Sequence, residues 1–374
     1  MKHCRFCLFL FLLGFCRMVG AQEINSGILN VSEDSVAAQK SFFTRVIDFF
    51  SETDSTYVTP NYYNWAFMVQ NTNCYETYRL ASNDYNQSLL FTPRPAIRFG
   101  PYLGWRWLFF GYTFDVNSFG KGHKSKKTEF ELCLYSAAVG CDLIYRRTGD
   151  DFRLNHIRGF GEDATQYEGQ EFKGIRNSIT GINAYYIFNH RRFSYPAAYA
   201  QSTVQRKSCG SWKIGFSCTL HEMKFNYDEL PEGMLENPEH PLGNGFKVNN
   251  LKYWDVGLSF GYAYNWVFKK NFLFNISMTP TIGYAKTHGK TSYLSDQGQT
   301  DYSVVNDRFS MDNVNINFTG RMGVVWNNTK RFAGMSLIVH GYNFKHHRLQ
   351  VNNVFGTLNF YVGLNFHKRK EYRD

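Results

Sequence analysis

Residues 254–284 constrain the fold more than any other stretch of this chain. Trp254, Val256, Leu258, Phe260, Tyr262, Tyr264 and Trp266 alternate with Asp255, Gly257, Ser259, Gly261, Ala263 and Asn265. After Lys269-Lys270-Asn271 the pattern restarts, with Phe272, Phe274, Ile276, Met278, Ile282 and Tyr284 against Asn275, Ser277, Thr279, Thr281 and Gly283. A period of two puts successive side chains on opposite faces of a β-strand. Both runs exceed the roughly five or six residues usual in soluble sheets. They match the tilted strands of about ten residues that cross a membrane, apolar toward lipid and small or polar toward the lumen. Aromatic residues near the ends of the apolar stripe suit the interfacial girdles of such a wall.

Weaker stripes of the same period occur at 65–69, 91–99, 108–116, 128–134, 139–145, 175–188, 212–220, 314–326, 333–339 and 356–366. Together they predict an all-β fold: a transmembrane antiparallel β-barrel of about twelve strands, an even number as single-chain barrels require. Pro93 and Pro95 predict a bulge or an unpaired stretch in the second strand, because proline cannot donate to the ladder. If the first strand runs outward, the short connections at 136–138, 268–271 and 327–331 are periplasmic. The long polar ones at 148–171, 222–250 and 286–311 are then extracellular. Residues 189–208 break the rule, being long where a short turn is expected. Either the strand count shifts there or this segment folds into the lumen. A periplasmic β-sandwich is the soluble alternative, but its strands would be shorter.

Composition removes the other classes. Charged residues are 19% and aromatic residues 18%, a mixture foreign to disordered chains and coiled coils. A mean hydropathy of -0.40 argues against a bundle of membrane helices, each of which needs about 20 apolar residues. Residues 1–21 read as a cleaved signal peptide, with Lys2 and Arg5 before an apolar run and Val19 and Ala21 at the cleavage spacing. Residues 22–60 read as a periplasmic segment. Within it Ser32, Glu33 and Asp34 cap a short amphipathic helix carrying Phe42, Val46 and Phe49. Residues 61–367 form the barrel and 368–374 a basic tail. Cys74, Cys133, Cys141, Cys209 and Cys218 remain after the leader, an odd set at no metal-ligand spacing that predicts neither a disulfide scaffold nor a metal site.

The alternation points Arg94, Arg98, Glu129, Glu131, Asp142, Arg146, Arg176, Lys213 and Arg321 into the lumen. Charges of both signs on successive strands are expected to pair across it. Later strands offer Gly257, Ser259, Gly261, Ala263, Ser277 and Thr279, small enough for residues 189–208 to pack against as a plug. Its candidate residues are His190, Arg191 and Arg192, with the two arginines expected to reach lumen carboxylates. Catalytic signatures are missing: there is no Gly-x-Ser-x-Gly, and His123-Lys124-Ser125 falls in a loop rather than on a strand. Asp150, Asp151, Glu162, Asp163 and Glu168 lack calcium-loop spacing. The chain is therefore read as non-enzymatic and without a cofactor.

Three segments carry a family resemblance. They are Gly100-Pro101-Tyr102-Leu103-Gly104-Trp105-Arg106-Trp107, Phe188-Asn189-His190-Arg191-Arg192-Phe193-Ser194-Tyr195-Pro196-Ala197-Ala198, and Phe260-Gly261-Tyr262-Ala263-Tyr264-Asn265-Trp266. The chain resembles domain-of-unknown-function family 4421, predicted outer-membrane proteins of Bacteroides-like bacteria, over about residues 55–366. The resemblance implies a Gram-negative outer-membrane location and brings no activity. The expected function is a small, partly plugged channel for polar solutes, with a preference for anions. A structural or assembly barrel is the alternative, and a lipid-modifying enzyme ranks third. Expected partners are outer-membrane lipid and lipopolysaccharide, and the barrel-assembly machinery during biogenesis. Small polar or anionic solutes complete the set. Nucleic acid is not among them.

Overall fold

The computed structural model describes residues 52–105, 108–111, 114–115, 128–148, 151–287, 290–294, 300–304, 311–346 and 348–373. The expected leader, the amphipathic helix and His123-Lys124-Ser125 lie outside these residues. The strands are β1 (Val58–Pro60), β2 (Tyr63–Ser82), β3 (Gln87–Pro93), β4 (Ala96–Trp105), β5 (Leu108–Gly111), β6 (Phe114–Asp115) and β7 (Thr128–Tyr135). They continue with β8 (Val139–Arg147), β9 (Phe152–Arg158), β10 (Glu171–Phe172), β11 (Ile175–Ile187), β12 (Thr203–Gln205) and β13 (Cys209–Phe225). The last are β14 (Val248–Lys269), β15 (Phe272–Thr287), β16 (Lys290–Leu294), β17 (Thr300–Val304), β18 (Val314–Asn327), β19 (Arg331–His346) and β20 (Leu349–Lys368).

One antiparallel ladder runs β7–β8–β11–β13–β14–β15–β18–β19–β20–β2–β4. Both β5 and β6 lie beside β4, and the sheet closes as a barrel. Arg94 and Pro95 separate β3 from β4, so the stave is broken where the prolines predict it. Above the break β3 pairs with β2 on one side and β9 on the other. Whether β3 and β4 are one stave or two is thus a matter of definition.

The wall has the predicted sidedness. Leu258 is 68% exposed and Ile282 67%, while Asp255 and Asn265 on the opposite face are 2% and 0% exposed. A closed sheet that turns such residues outward all round presents a lipid-facing belt. Trp212, Trp266, Phe268 and Phe188 gather at one rim, where Trp212 stacks on Phe260 with centroids 5.0 Å apart. The tight connections between β2 and β3 and between β19 and β20 lie at the other end. Those at 136–138, 270–271 and 328–330 lie at this rim, where Asn271 and Thr329 have φ of 67° and 76°. The chain enters and leaves the barrel there too, since the Arg369 N–H donates to Tyr62 O at 2.9 Å. This is the periplasmic end of a barrel of this type. Replacing Leu258 with arginine is expected to cost about 2–4 kcal/mol in a lipid-based unfolding equilibrium. The same change at exposed Lys269, on the rim, is expected to be near neutral.

At the opposite end the loops fold over the mouth and supply an apolar core. Phe152, Leu154, Phe160 and Phe172 of the β9–β10 region join Leu230, Met234 and Phe246 of the 226–247 connection. They pack on Tyr78, Leu80, Phe91, Phe225 and Phe344 from the upper wall. Gln87 ties the two loops together: its Nε2 donates to Gly159 O (3.2 Å) and Pro241 O (3.0 Å), and its Oε1 accepts from the Gly243 N–H (2.8 Å).

Candidate functional site

Below the apolar cap, a cross-strand ion pair between β7 and β8 is continued by pairs that cross the lumen between strands that are not ladder neighbours. Arg146 on β8 reaches Glu76 on β2 at 3.2 Å and Glu129 on β7 at 2.7 Å. Arg98 on β4 closes on the other Glu129 oxygen at 3.1 Å, and the Tyr78 hydroxyl donates to Glu76 at 2.5 Å. The Arg146 guanidinium also lies 4.4 Å from the centroid of the Phe355 ring. Deeper in the lumen, Arg321 on β18 pairs with Asp142 on β8. His340 on β19 lies 3.4 Å from Glu131 on β7. Taking ions out of water costs several kcal/mol each, and these groups recover that only through close partners. The geometry therefore bridges the walls instead of lining an open path.

Segment 189–208 fills the periplasmic half. Phe193, Tyr195, Ala197 and Ala198 are buried, with a helical turn at Pro196–Tyr199. Polar side chains of the late strands hold its backbone and hydroxyls. Asn265 Nδ2 donates to Ser194 O (2.9 Å) and to Gln205 Oε1 (3.0 Å), and the Tyr199 hydroxyl donates to Asn275 Oδ1 (2.5 Å). Gln201, at φ 55°, donates to the Tyr361 hydroxyl (2.9 Å) and accepts from Asn327 Nδ2 (3.0 Å). The segment before the barrel is stitched on from below through the β1–β12 pair, with Val58 opposite Gln205. Hydrogen bonds from the Thr56 hydroxyl and N–H hold the Asp54 carboxyl below its ordinary value, with the nearby Arg192 charge acting in the same sense.

Of the nine charges assigned to the lumen from sequence, the structure brings seven together there: Arg98, Glu129, Glu131, Asp142, Arg146, Lys213 and Arg321. Arg94 does not belong; it sits at the stave break and pairs with Glu171 outside. Arg176 is likewise exposed, because Ile175 and Ile179 turn inward. Above the lipid belt the interior is apolar and the exterior wet, so the phase of the alternation survives while its polarity inverts. His190 is buried beside Tyr186. Arg191 and Arg192 do not reach lumen carboxylates; they pair with Glu52 at 2.8 Å and Asp54 at 3.6 Å on the periplasmic surface. There the guanidiniums keep their water, whereas the plug interior offers aromatic rings and amides.

The small-residue wall is divided between two neighbours. Ala263 packs under the plug aromatics, whereas Ser259 and Thr279 line a cavity above them. Gly257 and Gly261 are small because the next strand crowds them: a Cβ on Gly257 would come 2.6 Å from Thr281 Cγ2. Sequence reasoning missed Glu76 and His340, and set Asp255 on the inward face without counting it among the lumen charges. The last is buried and accepts from Asn315 (3.0 Å) and Asn317 (2.8 Å). His340 directly follows the stripe at 333–339 and Glu76 lies further along the strand marked at 65–69, and counting the two-residue phase onward would have reached both. Among the described residues no cluster of His, Cys, Asp and Glu could hold a metal ion.

A closed antiparallel wall, an outward apolar belt and a filled interior define a transmembrane β-barrel of the outer-membrane type. A family model described as Domain of unknown function (DUF4421) matches residues 52–366, and the chain belongs to that family. None of the curated proteins matches it. Among solved structures, the outer-membrane protease OmpT of Escherichia coli is 6% identical, covering 83% of this chain and 98% of its own with a TM-score of 0.36. The transport unit of the autotransporter AIDA-I of Escherichia coli is 8% identical, covering 94% and 97% with a TM-score of 0.32. The outer-membrane protein OprG of Pseudomonas aeruginosa is 7% identical, covering 83% and 99% with a TM-score of 0.23. Likenesses this distant say nothing of activity.

Proposed function

We propose that this protein is a sealed outer-membrane barrel, a non-enzymatic scaffold that acts through its two faces and does not conduct solute. The observation that carries the reading is the set of wall-to-wall pairs, Arg146 with Glu76 and Arg321 with Asp142, in mid-lumen. The apolar cap lies above them and the plug below, so no single element has to move alone for the seal to hold. The outer face, built from the β9–β10 region and the 226–247 connection, and the periplasmic face around β1–β12 are the surfaces left to meet partners. Lipid and lipopolysaccharide contact the belt between them. A second reading keeps the channel for small polar or anionic solutes, opened when segment 189–208 leaves. Its support is the β1–β12 pair, through which a pull on the N-terminal segment would reach the plug.

Planar-bilayer recording separates the two. Refolded protein is expected to give no current steps, and a variant with residues 190–207 replaced by a short turn is expected to stay silent too. Steps from the intact barrel would sink the scaffold reading. Steps only from the shortened variant would support the gated channel.

A further inference from the structure

Lys213 and Arg321, each 3% exposed, converge on a mid-lumen cavity of about 30 Å³. Asp142 also lines it, together with hydroxyl groups of Ser259, Thr279 and Thr281. Arg321 already claims the carboxylate of Asp142. Lys213 has only neutral partners, donating to the Tyr195 hydroxyl at 2.7 Å and to Ser277 Oγ at 3.5 Å. Among the described residues no carboxylate forms an ion pair with it. An ammonium group has three donors, so one is left for the cavity. The Thr279 and Tyr185 hydroxyls, both on cavity-lining residues, are buried without a hydrogen-bond partner among the described residues. The Tyr185 ring centroid lies 5.3 Å from Lys213 Nζ.

Two buried cations thus face one carboxylate, with unused O–H and N–H donors around the gap. We infer that the cavity binds one small monovalent anion, of halide size, between Lys213 and the Thr279 hydroxyl. The formal excess of one positive charge selects a monovalent ion. The volume accommodates about two waters by the usual measure, room enough for a halide. The remaining Asp142 oxygen, Oδ1, has no donor among the described residues, and a water beside the anion would satisfy it. The site does not depend on whether the barrel conducts.

The test uses the full mature barrel in detergent, with bromide as the probe. Crystals grown in bromide are expected to show an anomalous peak within hydrogen-bond distance of Lys213 Nζ. The melting midpoint is expected to rise saturably, by a few degrees, in chloride or bromide over gluconate at equal ionic strength. Lys213→Met should abolish both effects. If that variant does not fold, diffraction from the unaltered protein decides. Waters alone at Lys213, or equal midpoints in chloride and gluconate, overturn the site.

Discussion

Replacing Arg146 with methionine is expected to destabilise the barrel by about 3–5 kcal/mol, the usual penalty for removing one partner of a buried ion pair. Methionine keeps most of the contact with Phe355 but removes the cation that Glu76 shares with Glu129, leaving Glu129 with Arg98 alone. The loss should appear as a lower urea midpoint with an unchanged slope, since the whole wall unfolds together. The Glu76→Gln, Arg146→Met double variant should be less damaged than Arg146→Met alone. A variant as stable as the parent would mean that the bridge is not buried as described.

Phe193→Ala is expected to cost a similar amount, about 3–5 kcal/mol, but to spend it locally. Phe193 is fully buried and meets Tyr195 edge-on at a centroid distance of 5.1 Å, within a cluster that includes Tyr185, Ile187 and Ala263. Its loss removes the packing of segment 189–208 without touching the ladder. Limited proteolysis should then cut near Arg191, Arg192 or Arg206, while the barrel keeps its resistance to denaturation. A variant that resists the protease as well as the parent does would show that the plug is held by its amide hydrogen bonds, not its aromatic rings.

The wall was legible because a lipid-facing strand has nowhere to hide its pattern. Leu258 and Gly257 must face different solvents, and so must Ile282 and Gly283. The plug was legible only as an anomaly of length, since nothing in 189–208 says which side chains turn inward. Arg191-Arg192 drew attention by charge, yet Phe193, Tyr195 and Gln201 make the buried contacts. Arg176 was misplaced for a related reason. Periodicity gives the phase of a strand, while the sign depends on what lies beyond each face, and that changes where the strand leaves the bilayer. Pairings such as Arg321 with Asp142 are a property of closure and could be expected in kind but not assigned. The outer cap was the least legible part, because 148–171 and 222–250 read as polar loops, although Phe152, Phe160, Leu230 and Phe246 within them and Phe172 beside them belong to its core.

The plug's partners also set an order of assembly. Asn265, Asn275, Asn327 and Tyr361 belong to strands that follow segment 189–208 in the chain, and Val58 precedes it. Segment 189–208 therefore cannot be seated until the C-terminal staves are in register. The stopper and the last staves are thus completed together: the hydrogen bonds that hold the one exist only when the others stand in place.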